Sequence, residues 1–278
     1  MRVALAQTDC VLGDLETNLE TARMAIKDAA AQNADLVVFP ELNLHGYALG
    51  RLDRDVSVAA TDPRVLALSE LGPDVVVGLY EDGDLRRYNS ALYLSGGQVI
   101  HVHRKLFLPT YLTWEERKHF TPGQAMRAFG TKHGRMAALV CNDFWQPMLP
   151  WLAVQDGASA LLVPTNSVTT SQGGSPLDNV DYWQDLLRHV ARMQQTWVIF
   201  VNRVGEENGA TFWGGSRVID PVGSVIAQAP MGEPAVVVAD VDISMARWVR
   251  RTLPLVTEAR LGLVLREVNR LAEEGGDY

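Results

Sequence analysis

Cysteine is nearly absent from this chain, with two residues, Cys10 and Cys141, in 278. Two thiols build no disulfide framework, and no Cys-x-x-Cys pair or Cys/His cluster marks structural zinc. One Cys10–Cys141 bridge is all that could form, and a reducing compartment disfavours it. Positive charge is also short: 25 Lys and Arg stand against 33 Asp and Glu, giving a formal net charge of -8 and a pI near 5.3. Binding to nucleic acid needs concentrated basic surface, and RHVARMQQ and ARWVRR are too short and mixed to supply it. No apolar run approaches the ~20 residues that cross a bilayer, and MRVALAQTDC reaches Asp9 before a signal-peptide core develops. The expectation is a cytoplasmic protein with neither nucleic acid nor membrane as partner. No low-complexity tract or Pro/Gly/Ser-rich linker interrupts the chain, so residues 1–278 read as a single domain.

What is present is apolar substance, 47% of residues against 21% charged, enough for a large core. RVALAQ reads as a strand. In DLETNLETARMAIKDAAAQNA, residues Leu15, Leu19, Ala22, Ile26 and Ala29 recur at helical spacing. DLVVFP is a short buried strand, and DPRVLALSELG a second helix. PDVVVGLYE, RYNSALYLS and QVIHVHRKLF then follow as strands separated by Asp-Gly and Gly-Gly turns. RMAALVCND and SALLVP are further strands, with a helix over PWLAVQDGA between them and another over DYWQDLLRHVARMQQ. TWVIFVNRVG, GGSRVIDPVGSVIAQ and AVVVADVD close the pattern as strands. Helices alternating with strands at first and hairpins later predict mixed sheets packed together with helices outside, an α/β fold.

Three polar residues stand just past predicted strands: Glu41 after DLVVFP, Lys105 after VIHVHR, and Cys141 after RMAALV. Strand carboxyl ends are where α/β folds bind ligands, because loops diverge there. A carboxylate can take a thiol proton, and a cation favours the thiolate and the oxyanion formed by attack on an amide, with a backbone N–H near Asn142 as second donor. This chemistry needs no metal and no cofactor. Spacing alone does not assemble the trio. A free cysteine on an apolar strand is commonly a buried small hydrophobe, and Glu41 and Lys105 have plain readings as a solvated loop residue and an exposed edge.

VVFPELNLHGY, HRKLFLPTY and ALVCND resemble, in order and spacing, the three signature blocks of the nitrilase superfamily of carbon–nitrogen hydrolases. FVNRVGEENGATFWGGSRVIDPVGSVIA is similar to that family's later segments, so the likeness covers most of the chain. The resemblance implies a four-layer α-β-β-α sandwich. It places the family's general base on Glu41, its oxyanion stabiliser on Lys105 and its nucleophile on Cys141. A second family glutamate falls on Glu116 rather than Glu115, because Glu116 stands four before Phe120.

The resemblance also bears on the reaction. Family nitrilases tend to carry Cys-Trp-Glu, whereas amidases, carbamoylases and glutaminase domains carry Cys-x-Asp, as here. The two arginines that follow this motif in some carbamoylases are replaced by Phe144 and Trp145, which removes a bidentate carboxylate clamp. CNDFWQP and LPTY…EERKHF look closer to the glutaminase domains of glutamine-dependent NAD synthetases. The chain ends before a second, ATP-using domain, and SGGQVI reads as a hairpin turn, so a free-standing amidase acting on a small linear amide is expected. The alternatives are an N-carbamoyl amide hydrolase or nitrilase, a glutaminase subunit serving a separate synthetase, and a metabolite sensor without turnover.

Tyr47, Tyr111, Asn142, Trp145, Asn166 and Trp183 are the expected substrate contacts. His101 and His103 share a strand face as a metal pair would, but no third ligand is evident. Val190 and Met193 stand where the family usually has an arginine and a glutamate. Family relatives associate through helices and C-terminal extensions, so residues 246–278, with their amphipathic pattern, are expected in a homo-oligomer contact.

Overall fold

The computed structural model describes residues 1–110, 115–169 and 179–275. The first third folds as β1 (Arg2–Gln7), α1 (Leu15–Ala31), β2 (Leu36–Val38), α2 (Pro63–Leu66), β3 (Asp74–Gly83), β4 (Arg86–Ser95) and β5 (Gln98–Arg104). Helix α1 starts where the Asp14 side chain accepts the Thr17 N–H, and it buries Leu19, Ala22, Ile26 and Ala29 along one face. Next come β6 (Phe129–Thr131), β7 (Gly134–Ala138), α3 (Met148–Gln155), β8 (Ala160–Thr165), α4 (Asn179–Gln194) and β9 (Trp197–Asn202). The hairpin β10 (Val204–Glu207) and β11 (Ala210–Trp213) leads into β12 (Arg217–Ile219), β13 (Val225–Gln228) and β14 (Ala235–Asp240). Helices α5 (Ile243–Thr252) and α6 (Leu261–Glu273) follow.

Two six-stranded sheets form, in the orders β14-β1-β2-β3-β4-β5 and β13-β12-β9-β8-β7-β6. Each has a parallel trio at its centre, β1-β2-β3 in one and β7-β8-β9 in the other, with antiparallel strands outside. Strands buried on both faces read as continuous apolar runs, and the two faces divide cleanly. Val3, Leu5, Leu36, Val38 and Val76 meet Met136, Ala160, Leu162 and Ile199 of the other sheet. Alternate residues Ala4, Ala6, Val37 and Val75 turn outward onto α1. On the opposite side Leu161, Val163, Val198 and Phe200 pack on Leu149, Ala153, Trp183 and Leu187 of α3 and α4. The result is the four-layer α-β-β-α sandwich. Each fully buried Leu, Ile or Val contributes roughly 1.5–3 kcal/mol of transfer free energy.

Two local expectations are corrected. RMAALVCND is not strand throughout: β7 stops at Ala138, and Cys141–Trp145 winds into a 3-10 turn. DPRVLALSELG is not one helix but α2 followed by a 3-10 turn over Ala67–Glu70. SGGQVI is the turn joining β4 to β5. Val190 is buried against the second sheet while Met193 is exposed, so the two do not share an environment. Helix α6 buries none of its residues, and Leu261, Leu265, Val268 and Leu271 lie open to solvent.

Candidate active site

The carboxyl ends of β2, β5, β7 and β8 meet at one end of the sandwich, and the loops beyond them bring Glu41, Lys105, Cys141 and Asn166 together. The Glu41 loop crosses β3 at Gly78, where a Cβ would overlap the backbone N of Leu42 and stand 2.7 Å from the Pro40 carbonyl oxygen. Glycine is required there for the approach. The Gly78 N–H also donates to Asn43 Oδ1 at 2.8 Å, pinning the loop.

Glu41, Lys105 and Glu116 are all buried, and Lys105 Nζ donates to Glu41 Oε1 at 2.7 Å and to Glu116 Oε1 at 2.6 Å. An ammonium has three N–H donors. Two are used here, and one is free among the described residues. Glu41 further accepts Asn89 Nδ2 at 2.7 Å on Oε1 and the Asn166 backbone N–H at 3.0 Å on Oε2. Three donors on a carboxylate with about four lone-pair sites leave one acceptor position on Oε2. Tyr47 Oη donates to Glu116 Oε1 at 2.5 Å, and Glu116 Oε2 is buried without a partner among the described residues. Glu115, by contrast, is exposed and pairs with Lys118, which separates the adjacent glutamates by environment.

Cys141 has a backbone φ of 47°, in the left-handed region that costs a non-glycine residue about 1–3 kcal/mol. Its thiol is held well above the usual cysteine range, by burial first and by Glu41 next, with Lys105 pulling the other way. The resting group is therefore a neutral thiol rather than the thiolate that a neighbouring cation alone would give. Burial also works against charge on Lys105, but Glu116 and Glu41 outweigh it and hold the ammonium protonated. Burial raises Glu116 from 4.5 to about 7, with Lys105 opposing.

Asn166 is buried, and neither end of its side-chain amide has a partner among the described residues. Asn142 turns its side chain away, donating from Nδ2 to the Phe107 carbonyl at 3.1 Å, while its backbone N–H meets no backbone acceptor among the described residues. Trp145 is partly exposed and stacks on Tyr182 at 4.9 Å. Trp183 corrects the expectation of a substrate contact. Its indole is 1% exposed, lodged between Phe144, Trp145 and Phe200, because an amphipathic α4 turns that face into the core. Tyr111 lies outside the described residues. His101 stacks on Phe129 at 4.2 Å while His103 turns to Asp143 at 2.8 Å, so the two do not converge on a metal site. Among the described residues no group of three or more His, Cys, Asp or Glu is placed to hold a metal ion.

Several supporting residues carry no local sequence signal. Asn89 on β4 braces Glu41, and its backbone carbonyl accepts the Lys105 N–H at 2.8 Å. Arg203, 1% exposed, binds Asp9 and Glu207, and Glu207 Oε1 accepts the N–H groups of Tyr47 and Ala48 at 2.9 and 2.6 Å. Tyr47 is thus fixed from both ends. A cavity of about 440 Å³ opens beside Tyr47 and Glu116, with Leu49, His119, Val168 and Phe212 among its walls.

A buried Glu-Lys pair, a second glutamate and a strained cysteine thus stand together beyond strand ends, and residues 2–251 match the carbon-nitrogen hydrolase family. The chain belongs to that family. It is 31% identical over 248 residues to the glutamine-dependent NAD(+) synthetase of Thermotoga maritima, covering 87% of this chain but only 42% of that relative's length. To the N-carbamoylputrescine amidase of Arabidopsis thaliana it is 26% identical, over 89% of this chain and 88% of the relative. An amidase from Nesterenkonia sp. superposes with a TM-score of 0.81 at 26% identity, covering 96% of this chain and 95% of that one. A glutamine variant of that amidase carries the acetamide moiety of fluoroacetamide on its active-site cysteine. This family member is therefore a carbon-nitrogen hydrolase enzyme. Among its described residues no helix is long and apolar enough to cross a membrane.

Proposed function

We propose that this hydrolase acts in the cytoplasm on a small linear amide, releasing carboxylate and ammonia through a thioester on Cys141. The observation that carries the reading is the set of unspent hydrogen-bonding positions around the thiol: one acceptor site on Glu41, one N–H of Lys105, and the unpartnered Glu116 Oε2 and Asn166 amide. Glu41 takes the thiol proton as sulfur attacks the amide carbon. The oxyanion collects the free Lys105 N–H and the backbone N–H of Asn142. Glu116 Oε2 accepts an N–H of the substrate amide, which orients it. Glu41 then returns the proton to the departing nitrogen, and ammonia leaves. Water, deprotonated by the same carboxylate, attacks the thioester and frees the acid. The acyl chain extends into the cavity beside Tyr47 and Glu116, with Trp145 as a further contact.

Ammonia release from a panel of amides, carbamoyl compounds and nitriles, on wild type and Cys141→Ala, tests this, with intact mass spectrometry for an acyl adduct. Amide turnover that disappears in the variant supports it. Carbamoyl or nitrile turnover alone moves the assignment to those subclasses. The likeness to the NAD(+) synthetase supports a second reading, a glutaminase subunit; ammonia release rising sharply with a partner synthetase would distinguish it. The open apolar stripe of α6 supports assembly of the enzyme as a homo-oligomer, since a helix of this kind is stable when its face is covered.

A further inference from the structure

One buried carboxylate, Asp143, ties the cysteine loop to the lysine loop. Its Oδ1 accepts the backbone N–H groups of Leu106 and Phe107, both at 2.9 Å, directly after Lys105. Its Oδ2 meets His103 Nε2 at 2.8 Å, two residues before Lys105, and the Val140 N–H at 3.3 Å, one residue before Cys141. Its own N–H closes back onto the Val140 carbonyl at 3.0 Å. The side chains of both His103 and Asp143 are entirely buried.

Three backbone N–H groups and the His103 ring nitrogen fill the roughly four lone-pair sites of the Asp143 carboxyl group. His103 Nε2 is placed as the fourth donor to that carboxyl group, and its Nδ1 is buried without a partner among the described residues. The ring holds the carboxylate from the β5 side. We propose that Asp143 and His103 are positioning residues that fix the separation of Cys141 from Lys105, and so the geometry of the oxyanion site. The inference rests on the reading of Cys141 as nucleophile. Both flanks of Lys105 and both flanks of a strained Cys141 are held through one side chain, so loosening it lets the two reactive groups drift independently. A misplacement of about 1 Å costs roughly 10²-fold in rate. Tying up the Leu106 and Phe107 N–H groups also removes them as oxyanion donors, which leaves that role to Lys105 and Asn142.

The test uses His103→Leu, which removes the donor, His103→Gln, whose amide N–H2 reaches the place of Nε2–H, and Asp143→Asn, which keeps the shape. Folding is checked by circular dichroism and thermal melts, and kcat and KM are measured on a primary amide. His103→Leu and Asp143→Asn are expected to lower kcat by about 10–100-fold, with KM little changed, and His103→Gln to recover most of the loss. A purely structural strap would lower Tm without that split or that rescue. Wild-type kcat in folded His103→Leu or Asp143→Asn, or Gln no better than Leu, overturns the proposal. Cys141 alkylation by iodoacetamide, followed by intact mass, keeps the question separate from the substrate. If wild type turns over no amide, alkylation slowed in His103→Leu and Asp143→Asn and restored in His103→Gln still supports positioning, and equal rates in all four proteins overturn it. Should His103→Leu fail to fold, the comparison of Asp143→Asn with wild type decides by the same measurements.

Discussion

Replacing Glu41 by Gln separates proton transfer from charge at Cys141. The side chain keeps its shape, so Lys105 and Asn89 still find an oxygen, but the new amide N–H2 meets the Asn166 backbone N–H donor to donor. A buried N–H left without an acceptor costs about 1–3 kcal/mol. At roughly 2–4 °C per kcal/mol for a large domain, Tm falls by several degrees and the fold survives. Catalysis loses more: removal of a positioned base costs about 10²–10⁴-fold, or about 3–5 kcal/mol in the barrier. The electrostatics run in the opposite sense. After burial, Glu41 is the strongest influence holding the thiol neutral, and Lys105 opposes it. The variant keeps the cation and loses a carboxylate. Alkylation by iodoacetamide needs a thiolate but no proton delivered to a leaving nitrogen, and the loss of the Glu41 charge favours that thiolate, so alkylation is expected to lose less than hydrolysis. The assay pairs ammonia release with intact-mass alkylation rates near neutral pH. Hydrolysis within tenfold of wild type refutes the assignment of Glu41 as base, and alkylation slowed as far as hydrolysis shows that Glu41 acts on the thiol proton alone and not on the leaving nitrogen.

Glu116 makes stability depend on pH. Its folded pKa is raised from 4.5 to about 7, so its contribution is fully present below 4.5 and is lost as pH rises through 7, up to about 3 kcal/mol at 1.36 kcal/mol per pH unit. Urea melts at pH 5 and pH 8 are expected to differ less in Glu116→Gln than in wild type; an unchanged difference counts against this. Gly78→Ala is expected to displace the Glu41 loop, lowering stability by about 1–3 kcal/mol and kcat by roughly 10²-fold. Wild-type kinetics in the folded variant would show that the loop tolerates the crowding. Leu265→Glu combined with Val268→Glu puts charge into the exposed α6 stripe; if the proposed homo-oligomer forms through that stripe, light scattering is expected to find a smaller species than wild type, with the active-site residues untouched.

Local pattern carried much of this protein. The strand and helix order follows from apolar periodicity, which is a property of neighbouring residues, and doubly buried β2 and β8 announce themselves as LVV and ALLVPT. That Glu41, Lys105 and Cys141 each follow a strand was legible for the same reason. The family resemblance singled out Glu116 from the adjacent pair Glu115 and Glu116, and burial against Lys105 supplies the physical difference between them. Trp183 looked like Trp145 in the sequence, yet the packing of α4 sends one into the core and leaves the other partly open. Asn89, His103, Asp143 and Glu207 gave no directional signal. The bonds from Asn89 to Glu41, His103 to Asp143, Phe107 to Asp143 and Tyr47 to Glu207 span 36 to 160 residues along the chain, and no local periodicity encodes a hydrogen bond across that separation. The sequence by itself determined which residue types arrive at the ends of which strands. The tertiary structure decided how many hydrogen-bonding positions each keeps free, because that depends on which donors and acceptors the second sheet and its loops bring alongside.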